Sequence, residues 1–292
     1  DHSKKDVLKE SGDSHRTPHH IIDGTSVMWF NSRMSSFRAL VIGGGFTGLE
    51  VLRRLAPHKD IALTLVDPSS HALFTPRLVD ALAGRLPEQA YHLSHQTLAQ
   101  KRGYAFLQGR VEALDPSDKT ARIREESGRV IEYAFDVCVC AFGARTAFFG
   151  LVGQEYVLPF KTWEHLTALE TRLRELATIT HPRIAIVGGG ATGVEAAVAL
   201  HERLGALGLP IGKRSIDLYQ AAPQILPGFS PTTVRKTQDL LEELGVRIHT
   251  HASVTETRAQ SLILKTGAEC AADLILWAPG VEPHVLEKSA HL

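Results

Sequence analysis

The feature that most constrains this chain is a repeated one. Residues 39–51 read ALVIGGGFTGLEV and residues 184–198 read IAIVGGGATGVEAAV; in each, a short apolar run breaks into three glycines and resumes as a helix-like sequence. A buried parallel strand, a tight turn and a helix fit both stretches, and that unit cradles a dinucleotide. In the first copy Gly43 makes the turn, Gly45 lets backbone approach a pyrophosphate, and Gly48 lets the helix pack closely on the strand. Gly44, Phe46 and Thr47 complete a loop whose helix N-terminus turns unsatisfied N–H groups and a positive dipole end toward phosphate. Gly188, Gly190, Ala191, Thr192 and Gly193 stand in the same places in the second copy. The apolar run 61–66 ends in Asp67, an acid placed to accept hydrogen bonds from a ribose. A pair of such units suggests one bound flavin dinucleotide and one exchangeable nicotinamide dinucleotide, since electron transfer between them needs both held together.

With 292 residues the chain has room for separate cores around the two units. Lysine plus arginine and aspartate plus glutamate balance at 32 each, so no net field draws it to nucleic acid or anionic lipid, and no nucleic-acid partner is expected. No apolar run reaches the roughly 20 residues that span a bilayer, and no signal peptide opens the chain, so a cytoplasmic protein is expected. Cys138, Cys140 and Cys270 form no CxxC pair; Cys138 and Cys140 alternate in an apolar run and are expected on one face of a buried strand. No metal site is expected, because His2, His15, His19 and His20 lack completing ligands at a fixed spacing.

Taken in order, residues 1–36 read as a disordered extension, with Met34 a candidate natural start. Residues 37–157 form the first, flavin-binding part: a βαβ unit to position 66, a helix opened by Thr75-Pro76 and closed at Gly84, and a short helix over 92–101. Alternating strands follow at 104–114, 120–124 and 129–132, a meander against the sheet, with Val111 expected at the cofactor. A buried strand at 135–141 then runs into Ala141, Phe142 and Gly143, where a glycine past a strand marks close backbone approach to the cofactor. Residues 158–281 form the nucleotide-binding domain, with an amphipathic helix over 163–178, a long loop at 208–213, a helix over 232–244, short strands, and a last buried strand at 273–277 leading to Ala278, Pro279 and Gly280. Residues 282–292 start a return toward the first domain.

The segments VIGGGFTGLE, VDPSSHALFTPRLVDALAG, VCAFGARTAFFG, IVGGGATGVE and LILWAPGVEP, in that order, resemble the flavoprotein oxidoreductases with two dinucleotide-binding domains. The chain looks most like the type II NADH:quinone oxidoreductases, and HALFTPRLVDALAG is the most discriminating stretch, being similar to a segment that marks that quinone-reducing group. The resemblance implies an α/β fold of two Rossmann-like domains, with the FAD domain discontinuous. It further implies FAD at the first glycine motif, NADH or NADPH at the second, and a quinone acceptor. The glutamate of the GVE triplet, Glu195, is then the candidate catalytic residue where the flavin, nicotinamide and quinone sites meet. Read from the residues alone, Glu195 is equally a helix-N-terminal acid stabilised by the dipole.

Two departures bear on this. Relatives that use NADH usually carry an acid at the end of the second strand of the nucleotide domain, where this chain has Tyr219-Gln220; Gln220 repels no 2′-phosphate, so a relaxed enzyme that prefers NADH by less than about tenfold is expected. The chain also ends at Leu292, before the family's Gly-Asp flavin motif, quinone-site motif and membrane-docking helices, so a truncated form is expected. Membrane contact on the cytoplasmic face would come through that further region alone, and a homodimer is compatible. A ferredoxin or rubredoxin reductase and a non-catalytic flavin-binding redox sensor remain open alternatives, whereas a disulfide reductase needs a cysteine pair that the first domain lacks.

Overall fold

The computed structural model describes residues 37–284; the expected extension 1–36 lies outside the described residues. The chain opens as β1 (Phe37–Ile42), α1 (Phe46–Leu55) and β2 (Ile61–Asp67), with β1 and β2 parallel. Leu52 seats α1 on the sheet, while Glu50 forks to Arg53 and Arg54 on its exposed side. Next, β3 (His71–Leu73) leads to a 3₁₀ turn at Thr75–Arg77 and to α2 (Leu78–Leu82), and β4 (His92–Ser94) pairs back on β3. The helix expected over 92–101 starts later, as α3 (His95–Arg102), because the Ser94 hydroxyl accepts the Thr97 N–H and caps it there.

Four strands complete this part: β5 (Ala105–Asp115), β6 (Thr120–Glu125), β7 (Val130–Ala134) and β8 (Val137–Cys140). Their sheet has the order β7-β6-β5-β2-β1-β8. β5 is parallel to β2 at its start and antiparallel to β6 beyond, with a bulge between Val111 and Ala113. That bend lays the meander on the sheet, so Ile123, Ile131 and Leu114 pack with Leu40, Ile42 and Val66. Cys138 and Cys140 correct the expectation of a buried strand: β8 is the sheet edge among the described residues, Cys138 is half-buried and Cys140 exposed.

The second part runs β9 (Ala144–Thr146), β10 (Leu158–Pro159), α4 (Trp163–Leu176), β11 (Arg183–Val187), α5 (Ala191–Ala206), β12 (Ser215–Tyr219), α6 (Pro231–Glu243) and β13 (Val246–His249). β14 (Val254–Arg258), β15 (Ser261–Leu264) and β16 (Glu269–Ala271) form a small antiparallel sheet, and β17 (Leu274–Trp277) and β18 (Val281–Pro283) follow. The parallel sheet has the order β10-β17-β11-β12-β13. α4 buries Leu166, Leu169, Leu173 and Leu176 after a capping box between Thr162 and His165. The architecture is α/β with two Rossmann-like units, and β18 pairs antiparallel with β9.

The duplication extends to the opposite end of each sheet. The Arg38 N–H and guanidinium donate to Asp136, joining the starts of β1 and β8; the Arg183 N–H and guanidinium donate to Asp273, joining β11 and β17. α2 couples the two halves: Leu78 and Leu82 share a core with Leu169, Leu173, Val194 and Leu200, and Arg85 pairs with Glu202 of α5. The segment HALFTPRLVDALAG is thereby pinned on the helix that follows the second glycine motif.

Candidate functional site

Each glycine motif sits between the first strand and first helix of its unit. Gly43 (φ 100°) and Gly188 (φ 112°) make the turns in the left-handed region, and a Cβ on either would run into the backbone carbonyl of Ala141 or Ala278. A Cβ on Gly48 or Gly193 would strike the carbonyl of Gly43 or Gly188, so these glycines serve helix-on-strand packing. Gly45 and Gly190 differ. Each begins its helix in ordinary extended conformation, and a Cβ there meets no protein atom within 4 Å. Their open faces lie where the free N–H groups of the helix start point, which is the cradle a pyrophosphate needs.

The end of the second strand supports each loop in the same way. The Gly44 N–H donates to Asp67 Oδ2 (2.6 Å) and the Ser69 N–H to Oδ1 (2.7 Å). The Gly189 N–H donates to Gln220 Oε1 (2.8 Å). Asp67 therefore turns acceptor lone pairs outward, while Gln220 has its oxygen engaged and its amide NH₂ left to face a ligand. Beneath the first loop His95 is fully buried against Gly44 and Phe106, and burial holds its imidazole below the ordinary histidine value.

Three cavities gather the expected residues. The first, about 650 Å³, is lined by Gly43, Asp67, Val111 and Phe142 together with Arg110, Arg124 and Arg145. The second, about 410 Å³, takes in Gly43 through Thr47, Asp67, Ala141, Phe142 and Gly143, and reaches Lys161 and Trp163. The third, about 280 Å³, brings Thr192, Glu195, Ala278 and Gly280 to Thr75, Pro76 and Lys161. Gly188, Gly190, Ala191, Gly193, Gln220 and Pro279 belong to the second loop and its surroundings without lining any of the three.

Glu195 is the fifth residue of α5, which has no acid in its first turn. The helix-dipole reading is corrected by that placement, because the dipole's influence falls off within one turn. Its exposed carboxylate instead enters the third cavity, on the same helix whose Glu202 holds α2.

Several lining residues carry no sequence signal. His71, His92 and Trp163 form a ring column, with centroids 4.4 Å apart at each step, along the wall of the second cavity. Glu164 in the same wall is held below the usual carboxylate range, first by the Thr162 hydroxyl. Lys161 lines both the second and third cavities. The Cys138 thiol is pushed up to about 12, chiefly by burial and then by Cys140, the opposite of what a reactive thiol requires.

The chain is similar to known proteins. Residues 37–292 match the Pyridine nucleotide-disulphide oxidoreductase family. A demethylphylloquinone reductase of Synechocystis is 30% identical over 254 residues, covering 83% of this chain and 61% of the relative. A type II NADH:quinone oxidoreductase of Haemophilus influenzae is 27% identical, covering 83% of this chain and 64% of the relative. The chain thus spans less than two thirds of the length of these relatives. The solved structure of NDH2 from Plasmodium falciparum in complex with NADH superposes with a TM-score of 0.80 over 86% of this chain and 56% of that one; at 20% identity the likeness is one of fold. Among the described residues no helix is long and apolar enough to cross a membrane. With two glycine loops of matching geometry and a family match across nearly all of its length, the chain belongs to the pyridine nucleotide-disulphide oxidoreductase family, whose members bind FAD and a nicotinamide dinucleotide.

Proposed function

We propose that this chain is the dinucleotide-binding part of an NAD(P)H:quinone oxidoreductase, with FAD on the first glycine loop and NADH or NADPH on the second. One observation carries the reading: both loops leave open space at the glycine that begins the helix, and the cavity on the first loop shares Thr75 and Lys161 with the cavity beside Thr192 and Glu195 of α5. A flavin supplies hydride acceptance and onward two-electron transfer when bound.

The chain's own part is binding and orientation. The N–H groups of Phe46 and Thr47 at the start of α1 face the flavin pyrophosphate, Asp67 accepts from the ribose, and Val111 lines the adenosine end. Ala191 and Thr192 hold the second pyrophosphate at the start of α5, and the Gln220 amide donates toward the ribose. Ala278 and Gly280 close one side of the third cavity while α2, braced on α5, brings Thr75 to the other. Glu195 presents a carboxylate there that can hold a proton on either oxygen and pass it to an acceptor. A quinone acceptor accords with the functions named for the Synechocystis and Haemophilus relatives, and peripheral contact with the cytoplasmic membrane face would go with such an acceptor.

The test is anaerobic. The FAD-loaded protein should bleach with NADH and recover its colour with a soluble quinone, faster than with a ferredoxin or rubredoxin. Recovery with ferredoxin alone would move the protein to the reductase alternative, and no bleaching with either nucleotide would leave a flavin-binding sensor.

A further inference from the structure

The second and third cavities share two polar side chains, Thr75 and Lys161. Lys161 is the one lysine or arginine among the described residues that line either cavity. The carboxylates around it are Asp67 and Glu164 on the glycine-loop side and Glu195 on the other. Asp67 is engaged by the Gly44 and Ser69 amides and Glu164 by the Thr162 hydroxyl, and among the described residues no ion pair joins Lys161 to any carboxylate. Its backbone is fixed on both sides, by buried Phe160 before it and by Thr162 after it, which caps α4.

The fold therefore holds a partly buried lysine, without an ion-pair partner among the described residues, between the cavity of the first loop and the cavity beside α5. A cation at that place is available to an opposite charge on a bound ligand. Hydride transfer creates such a charge. The C–H bond of the reduced nicotinamide breaks, an N–H bond forms on the flavin, the hydrogen carries both electrons, the donor becomes a cation and the flavin gains one negative charge. A cation beside that charge stabilises it.

We propose that Lys161 stabilises the negative charge that two-electron reduction places on the flavin, and so sets the flavin's reduction potential; this rests on the flavin assignment above. The test is a spectroelectrochemical titration of the FAD-loaded full chain at fixed pH, for wild type, Lys161→Met and Lys161→Arg, with flavin content measured on each. The Met variant should keep its FAD, and its ratio of reduced to oxidised flavin at a given potential should fall at least tenfold, about 30 mV for a two-electron couple. The Arg variant, which keeps the charge, should stay within about threefold of wild type on the same scale. A flavin-replete Met variant at the wild-type potential overturns the proposal while leaving the flavin assignment intact. A wild type that holds no FAD overturns both. Lys161→Gln is a second neutral variant to which the same readings apply if Lys161→Met loses flavin.

Discussion

Replacing Gln220 by Glu should shift the nucleotide preference toward NADH. In the wild type the Gln220 oxygen accepts the Gly189 N–H at 2.8 Å, so the group left for the ligand is an NH₂ with two donors and no acceptor. An amide NH₂ can donate to a ribose hydroxyl or to a 2′-phosphate alike. A glutamate can keep the Gly189 bond with one oxygen and turn the other, anionic, toward the same place. A 2′-phosphate about 5 Å away is then repelled by about 1 kcal/mol in a water-like dielectric and about 3 kcal/mol at an effective dielectric of about 20. The ribose hydroxyl of NADH meanwhile gains an ionised acceptor, worth about 1.5–3 kcal/mol before desolvation is counted. The position is half-exposed, so a combined change of about 2–3 kcal/mol is expected, or roughly 30- to 150-fold in the NADH:NADPH ratio. The assay is kcat/KM for flavin reduction by each nucleotide, with Gln220→Ala as a control that adds no charge. Wild type should discriminate by less than about tenfold. A wild type that already discriminates a thousandfold, or a Glu variant with an unchanged ratio, would show that Gln220 does not face the ribose.

Asp273→Asn should lower stability by about 1–3 kcal/mol, less than for a fully buried pair because Arg183 is 43% exposed, and so lower Tm by roughly 3–10 °C in thermal unfolding. The Arg183 guanidinium holds the Asp273 carboxyl below its usual value, so its stabilisation is complete above about pH 4 and lost as pH falls through the depressed folded value; the Asn variant should lack that acid-side loss, and a parallel loss would refute the assignment. Gly48→Ala should disrupt folding of the first unit, because its Cβ runs into the Gly43 carbonyl; circular dichroism and Tm at wild-type levels would contradict that packing role.

Much of the fold was legible because its signals are local. The glycine runs, the apolar strands before them and the apolar face of α4 all lie within a few positions of the elements they define. Short pieces such as β3, β9, β10 and β18 were not legible, since two or three residues make no period and their partners are remote in sequence. The same holds for the Arg38–Asp136 and Arg183–Asp273 clamps, whose members stand 98 and 90 positions apart. The site divides similarly. Asp67 and Gln220 were singled out from their place at the end of a strand, although their hydrogen bonds to Gly44 and Gly189, and hence which atoms remain for a ligand, were not legible. Lys161 was missed because nothing about a lysine before a helix cap distinguishes it until two cavities are seen to meet there. Glu195 was singled out through the resemblance, and its depth in α5 then removed the dipole explanation.

The central claim is a division of labour between two loops, and Gly45 and Gly190 allow it to be measured cleanly. Both have φ near −75° and open space at the Cβ position, so valine there should leave the fold nearly intact and block only a ligand. The decisive measurement is flavin content and NADH-driven bleaching on each variant, with Tm as the control for folding. Gly45→Val should lose the flavin absorbance, whereas Gly190→Val should keep its flavin and fail to bleach with NADH or NADPH. If Gly45→Val retains full flavin, or if both variants lose flavin together at unchanged Tm, the assignment of FAD to the first loop and the nicotinamide nucleotide to the second is wrong.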